Sequence, residues 1–291
     1  MTEFDNEFTR RDAVSTLVAG AVTAVAASTP AAAQAGVVES DVMIKTADGN
    51  CQAAFIHPAT GTHPAVIIWA DAFGLRPVMR EFGRRIAAEG YSVLVPNPFY
   101  RVTNNTPVIA DTTNFNFANQ ADMSKLQPLM GSIGAPGTAE KDAVAFVAFL
   151  DSQPQVDKNR KIGTQGYCMG GPLTMRTAAA VPNRIGAGGS FHGGGLVTDQ
   201  PTSPHLLVPK IKAKFYFGIA SNDDMRQPDA KDKLRAAFAA TNNPAQIEVY
   251  SERLHGWCVP DMPKATPAIY HREDAERAWS KLVTLYKTGL A

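Results

Sequence analysis

Gly166-Tyr167-Cys168-Met169-Gly170-Gly171 reads as a sharp turn between two periodic segments. Upstream, Lys161–Tyr167 predicts a strand; downstream, Gly170–Ala180 predicts a helix. The pattern is G-x-C-x-G, which is G-x-S-x-G with a thiol in place of the hydroxyl. Side chains at the glycines would collide with neighbouring elements, so the turn needs residues without a Cβ. Such a turn lifts the sulfur above the sheet edge, at the N-terminus of the following helix, where the dipole favours a thiolate. The N–H of Met169 then points to the place where an oxyanion forms when the sulfur attacks a carbonyl. The plainer alternative is a small buried Cys at a tight turn, and the strand–turn–helix context argues for the nucleophile.

Working outward, short β-branched runs alternate with helical patterns. Val42–Thr46 and Gln52–His57 flank Asp48-Gly49, a hairpin signal. The continuous apolar run Ala65–Ala70 suits a strand buried on both faces. A helix is predicted over Val78–Glu89, with Phe82, Ile86 and Ala87 on one stripe and Gly90 as its stop. Tyr91–Val95 is the next strand. Residues 101–137 show no period and read as a long loop, either a lid or a surface excursion. Helices are predicted over Thr138–Leu150, Pro228–Ala240 and His271–Lys287, and strands over Ile185–Phe191, Ala213–Ile219 and Gln246–Tyr250. This alternation implies an α/β fold, with a mainly parallel central sheet and helices on both faces.

Residues 1–35 read as a separate segment. Arg10-Arg11, an uncharged Ala/Val-rich stretch and Ala33-Gln34-Ala35 form the n-region, h-region and cleavage pattern of a secretory signal. The paired arginines suggest the twin-arginine route, and hence a periplasmic location. An amphipathic terminal helix is the alternative. Residues 36–291 then form one domain, with no composition break and no internal repeat. With 28 Lys+Arg against 27 Asp+Glu, no global field exists to hold nucleic acid. Three cysteines are too few for a disulfide scaffold. No apolar run beyond the leader reaches bilayer length, so no membrane anchoring is expected once the leader is removed.

A thiol nucleophile needs a base and an orienting acid. His255, in Leu254-His255-Gly256-Trp257, follows the last predicted strand. Asp223 and Asp224, in Ser221-Asn222-Asp223-Asp224, follow the strand Ala213–Ile219. The chain order is nucleophile, acid, base. Asp223 comes first off its strand and is favoured, with Asp224 kept beside it.

These residues, with Trp69-Ala70-Asp71-Ala72-Phe73-Gly74-Leu75, resemble the dienelactone hydrolase family, an α/β-hydrolase branch with a cysteine nucleophile. The resemblance spans roughly residues 40–287. It implies hydrolysis of a lactone or carboxylic ester through a thioester, with Cys168, His255 and Asp223 or Asp224 as the triad. It places the oxyanion hole at the N–H groups of Met169 and Ala72. It puts Asp71, one methylene shorter than the usual Glu, at the position of an acid that helps switch the thiol to thiolate. It matches Arg80 to an arginine that would pair with that acid or with a substrate carboxylate. Where the family's best-known members carry an Arg four residues after the catalytic His, this chain has Val259. The implied partner is a small-molecule substrate, with no metal or organic cofactor.

His192, in the loop after Ile185–Phe191, is a candidate substrate contact or a structural residue. Trp257 and Trp69 flank the expected site and are candidates for an apolar pocket, core packing being the other role for Trp69. Cys51 reads as core, and Cys258 as a packed thiol. No histidine pair has metal-ligand spacing. Two other readings stay open: a catalytically silent small-molecule-binding module, and a thiol-dependent isomerase or transferase on the same fold. The oligomeric state is not encoded in any of these features.

Overall fold

The computed structural model describes residues 36–243 and 245–291; the leader expected over residues 1–35 lies outside the described residues. Among the described residues, eight strands form one sheet: β1 Val37–Thr46, β2 Gly49–Pro58, β3 Ala65–Trp69, β4 Ser92–Pro96, β5 Ile162–Tyr167, β6 Ile185–Phe191, β7 Lys214–Ala220 and β8 Ala245–Tyr250. Their order is β1-β2-β4-β3-β5-β6-β7-β8. β2 is antiparallel to both β1 and β4, and β4 through β8 run parallel. This is the α/β-hydrolase arrangement. Every residue of β3, β4 and β5 is buried, which explains the unbroken apolar run of β3.

The helices are α1 Pro77–Ala88, α2 Gln120–Gly134, α3 Thr138–Ser152, α4 Gly170–Ala180, α5 Ser221–Arg226, α6 Ala230–Ala239 and α7 Arg272–Gly289. The connection β3–α1–β4 steps one way across the sheet, and β5–α4–β6 steps the other. Right-handed crossovers therefore put α1 and α4 on opposite faces. α1 shares its face with α7, through Phe82 against Trp279 and an Arg85–Glu276 ion pair at 2.7 Å. α3 and α4 share the other face, joined by Arg176–Glu140 at 2.8 Å. The direction reverses between β3 and β5. At such a switch point the loops leaving the two strands diverge and open a crevice at their carboxyl ends.

Two sequence expectations need correction. The hairpin loop is Ala47-Asp48, one residue earlier than the Asp48-Gly49 signal, and Gly49 opens β2 with φ +139°. Residues 101–137 are not loop throughout, because they contain α2. Its buried stripe Leu126, Leu129, Ile133 has helical spacing, and Asn119 caps it by accepting the Ala121 N–H at 2.8 Å. Pro128, Gly131 and Gly134 diluted that period.

Candidate active site

Cys168 sits at the end of β5 with φ +52°, a left-handed conformation that a residue with a side chain adopts only under constraint. The constraint is steric. A Cβ on Gly166 would lie 2.0 Å from the Gly170 carbonyl oxygen, and one on Gly170 would lie 2.4 Å from the Trp69 carbonyl oxygen. The chain must turn sharply there, and α4 must start hard against β3. The sulfur is left partly exposed above the switch point.

The crevice brings in a second strand end. Ala72 follows β3, in a turn where the Gly74 N–H donates to the Asp71 carbonyl at 3.0 Å. Among the described residues, neither the Met169 N–H nor the Ala72 N–H is hydrogen-bonded. Two free donors from the two sides of a switch point are what an oxyanion hole requires.

His255 lies in the loop after β8, where the Asn222 side chain accepts its backbone N–H at 2.8 Å. Its Nδ1 is 2.7 Å from Asp223 Oδ2. Burial opposes the imidazolium, but the bond to Asp223 and the closeness of Cys168 outweigh it and push the His255 pKa up to about 10. Of the two adjacent carboxylates, Asp223 reaches the imidazole, whereas Asp224 pairs with Lys231 at 2.7 Å.

Asp71 is almost fully buried and accepts from Arg76 at 2.7 and 2.9 Å and from the Phe73 N–H at 2.9 Å. Arg76 donates equally to Asp261, at 2.8 and 2.7 Å. This buried acid–arginine–acid bridge ties the β3 loop to the loop beyond His255. The expected partner, Arg80, is elsewhere. It points to the outer edge and pairs with Glu39 and Asp41 on β1. The reason is helical phase: Arg76 precedes the first turn of α1 and faces the crevice, whereas Arg80 falls on the stripe facing β1. Arg76, Asp261 and Asn222 were missed in the sequence. A lone Arg next to Pro77 carries no local signal for a partner 185 residues away.

His192 is fully buried, so it is not an exposed substrate contact. Its Nδ1 accepts the Cys168 N–H at 3.2 Å, and its ring lies 4.8 Å from that of His255. Burial, and then the charge of His255, hold its pKa well below the ordinary histidine value; the ring is neutral, and the Cys168 N–H selects the tautomer with a bare Nδ1. Trp257 is also fully buried and stacks on Tyr250 at 4.1 Å instead of lining a pocket. Trp69 is core, with Nε1 donating to Thr177 at 2.9 Å. A cavity of about 410 Å³ opens from Cys168 and Met169, with Met130 and Ile133 of α2 on its far wall. The segment before α2 is fixed to both catalytic-side loops. Phe115 packs on Phe73 at 5.1 Å, and Thr112 Oγ1 donates to the Asp261 carbonyl at 2.7 Å.

Comparison with known proteins places this geometry. Residues 51–290 match the model of the dienelactone hydrolase family. The chain is 28% identical to a Methylorubrum extorquens protein provisionally named carboxymethylenebutenolidase, over 97% of each. It is 25% identical to the carboxymethylenebutenolidase of Rhodococcus opacus, over 83% of this chain and 88% of that one. Among solved structures, a dienelactone hydrolase-like promiscuous phosphotriesterase from metagenomic libraries superposes with a TM-score of 0.69. It is 19% identical, with 88% of this chain and 100% of that one covered. The dienelactone hydrolase of Anabaena variabilis gives 0.61 at 14% identity, with the same coverage. At these identities the structural matches speak for the fold.

Proposed function

Because the chain belongs to the dienelactone hydrolase family, we propose that it hydrolyses a lactone or carboxylic ester through Cys168, His255 and Asp223. The observation that carries this reading is the 2.7 Å Asp223–His255 bond beside a thiol held at φ +52°.

Cys168 Sγ attacks the carbonyl carbon as thiolate. The C–O π electrons move to oxygen, and the N–H groups of Met169 and Ala72 receive the oxyanion. Collapse breaks the bond to the leaving oxygen, which takes the proton from the His255 imidazolium. For a lactone the released alcohol stays attached to the acyl group. Neutral His255 then takes a proton from water, the hydroxide attacks the thioester, and the C–S bond breaks. The thiolate returns and the acid departs. Asp223 keeps Nδ1 protonated and stabilises the cation, so Nε2 is the nitrogen that moves the proton. His192 fixes the elbow through the Cys168 N–H, and Asp71 with Arg76 fixes the Ala72 turn. Nothing in this sequence of steps calls for a metal or an organic cofactor. The leader over residues 1–35 would put the chemistry in the periplasm; cell fractionation of the tagged full chain tests that part.

The test is hydrolysis of carboxymethylenebutenolide and of an aryl acetate by the wild type and by Cys168→Ala. Turnover of either by the wild type alone is expected. Full activity in the variant would remove Cys168 from the mechanism.

A further inference from the structure

We infer that the cavity beside Cys168 receives an uncharged, largely apolar acyl group or lactone ring and disfavours a substrate bearing its own carboxylate. The chemistry rests on the hydrolase reading above; the shape and charge of the cavity do not. Its volume of about 410 Å³ falls within the usual range for small-molecule sites, roughly 300–1,000 Å³. Ile133 and Met130 from α2, Pro172 and Leu173 from α4, and Pro204 give it carbon walls.

Apart from the thiol, one formally charged side chain among the described residues lines the cavity, Arg176. An arginine there looks like a carboxylate receptor, but its charge is already paired and two of its donors are taken. Nη1 donates to Glu140 Oε1 and Nη2 to the Thr202 carbonyl, both at 2.8 Å. The Glu140 carboxylate therefore offsets the guanidinium charge on the α3 side. Glu140 Oε2 is buried and has no partner among the described residues. A second carboxylate brought to Arg176 would meet that anion and be repelled. Arg76, the other arginine near the nucleophile, is closed between Asp71 and Asp261. The His255 imidazolium is paired with Asp223 and faces the reacting centre itself. A carboxylate entering this cavity would lose water and, among the described residues, meet only cations already paired with a carboxylate.

Alkylation of Cys168 reads the cavity without requiring turnover. Cys51 and Cys258 are buried, and burial pushes both thiols up, so Cys168 is the thiol that reacts. The rates with iodoacetate and with N-benzyl iodoacetamide are measured on the purified protein, each divided by its rate with free glutathione. Beside them, kcat/KM is measured for carboxymethylenebutenolide and for its methyl ester by loss of lactone absorbance. The uncharged member of each pair is expected to be faster by about tenfold or more. Glu140→Gln frees Arg176 and should narrow both ratios by raising the rates of the charged probes. Should that variant not fold, Gln200→Arg, at an exposed position on the cavity rim, adds a cation and should act likewise.

A wild-type preference for iodoacetate or for the free acid, or ratios near one, overturns the inference. If no ester or lactone turns over while the alkylation ratio holds, the hydrolase reading fails and the cavity assignment stands. If esters turn over but the charged probes are preferred, the hydrolase reading stands and this inference falls.

Discussion

The two strand ends that meet at the site are built by different means. After β5, geometry is steric: two glycines with no room for a Cβ, one against the elbow itself and one against the end of β3, fix the turn, and Cys168 takes the strained position between them. After β3, geometry is long-range. The Ala72 turn is held by Asp71, Asp71 by Arg76, and Arg76 by Asp261 on a loop far along the chain. One proposed oxyanion donor therefore depends on steric exclusion at two glycines. The other depends on a charge bridge, buried at Asp71 and Arg76, that exists only once the loop bearing Asp261 has packed against the β3 end. The first should fail through chemistry or turn geometry, and the second through the stability of the whole crevice.

The largest expected effect is chemical and lies on the β5 side. Cys168→Ala should lower kcat by at least about 10³-fold, in line with other nucleophile removals, while the melting temperature stays close to that of the wild type. Next comes Asp223→Asn, which should reduce kcat/KM on the order of 10³-fold by losing the correct imidazole tautomer. It should also move the basic limb of the pH profile. In the wild type His255 remains protonated toward pH 10, so activity that needs the imidazolium falls only above that. In the variant the fall should begin nearer the ordinary histidine value. The same raised pKa gives a stability contribution that is fully present below about pH 6.5 and is lost as pH rises through about 10; urea unfolding at pH 6 and pH 10 measures it.

On the β3 side, Arg76→Ala leaves the Asp71 carboxylate buried and unpaired. It should cost about 3–5 kcal/mol of stability, read from the denaturation midpoint. Arg80→Ala, which breaks pairs at the outer edge, should cost much less and leave kcat/KM near the wild-type value. If the two arginines behave alike, the difference drawn between the strand ends is wrong. The smallest effect belongs to Asp224→Asn. Its ion pair with Lys231 is partly exposed, so a change within about 1 kcal/mol is expected. Comparing it with Asp223→Asn sets adjacent carboxylates side by side.

What the sequence disclosed follows the same division. The elbow, the parallel strands and the order of Cys168, Asp223 and His255 were legible because each rests on short-range pattern. Asp223 was favoured over Asp224 by chain order alone; the physical difference lies in the backbone of α5, which turns one toward His255 and the other toward Lys231. Arg80 was chosen over Arg76 because a matched position says nothing about helical phase. α2 was hidden by a Pro and two Gly in a weak stripe. Trp257 was placed on a pocket wall by its nearness to His255 in the chain, but its ring packs inward against Tyr250.

The central claim is that the bond to the substrate forms at Cys168 and is discharged by His255. The direct measurement is mass spectrometry of His255→Asn after brief reaction with an aryl ester and acid quench, peptide by peptide. The account predicts one acyl group on the peptide containing Cys168, removed by neutral hydroxylamine and absent in the Cys168→Ala, His255→Asn double variant. An acyl group on another residue, or its persistence in the double variant, would contradict it.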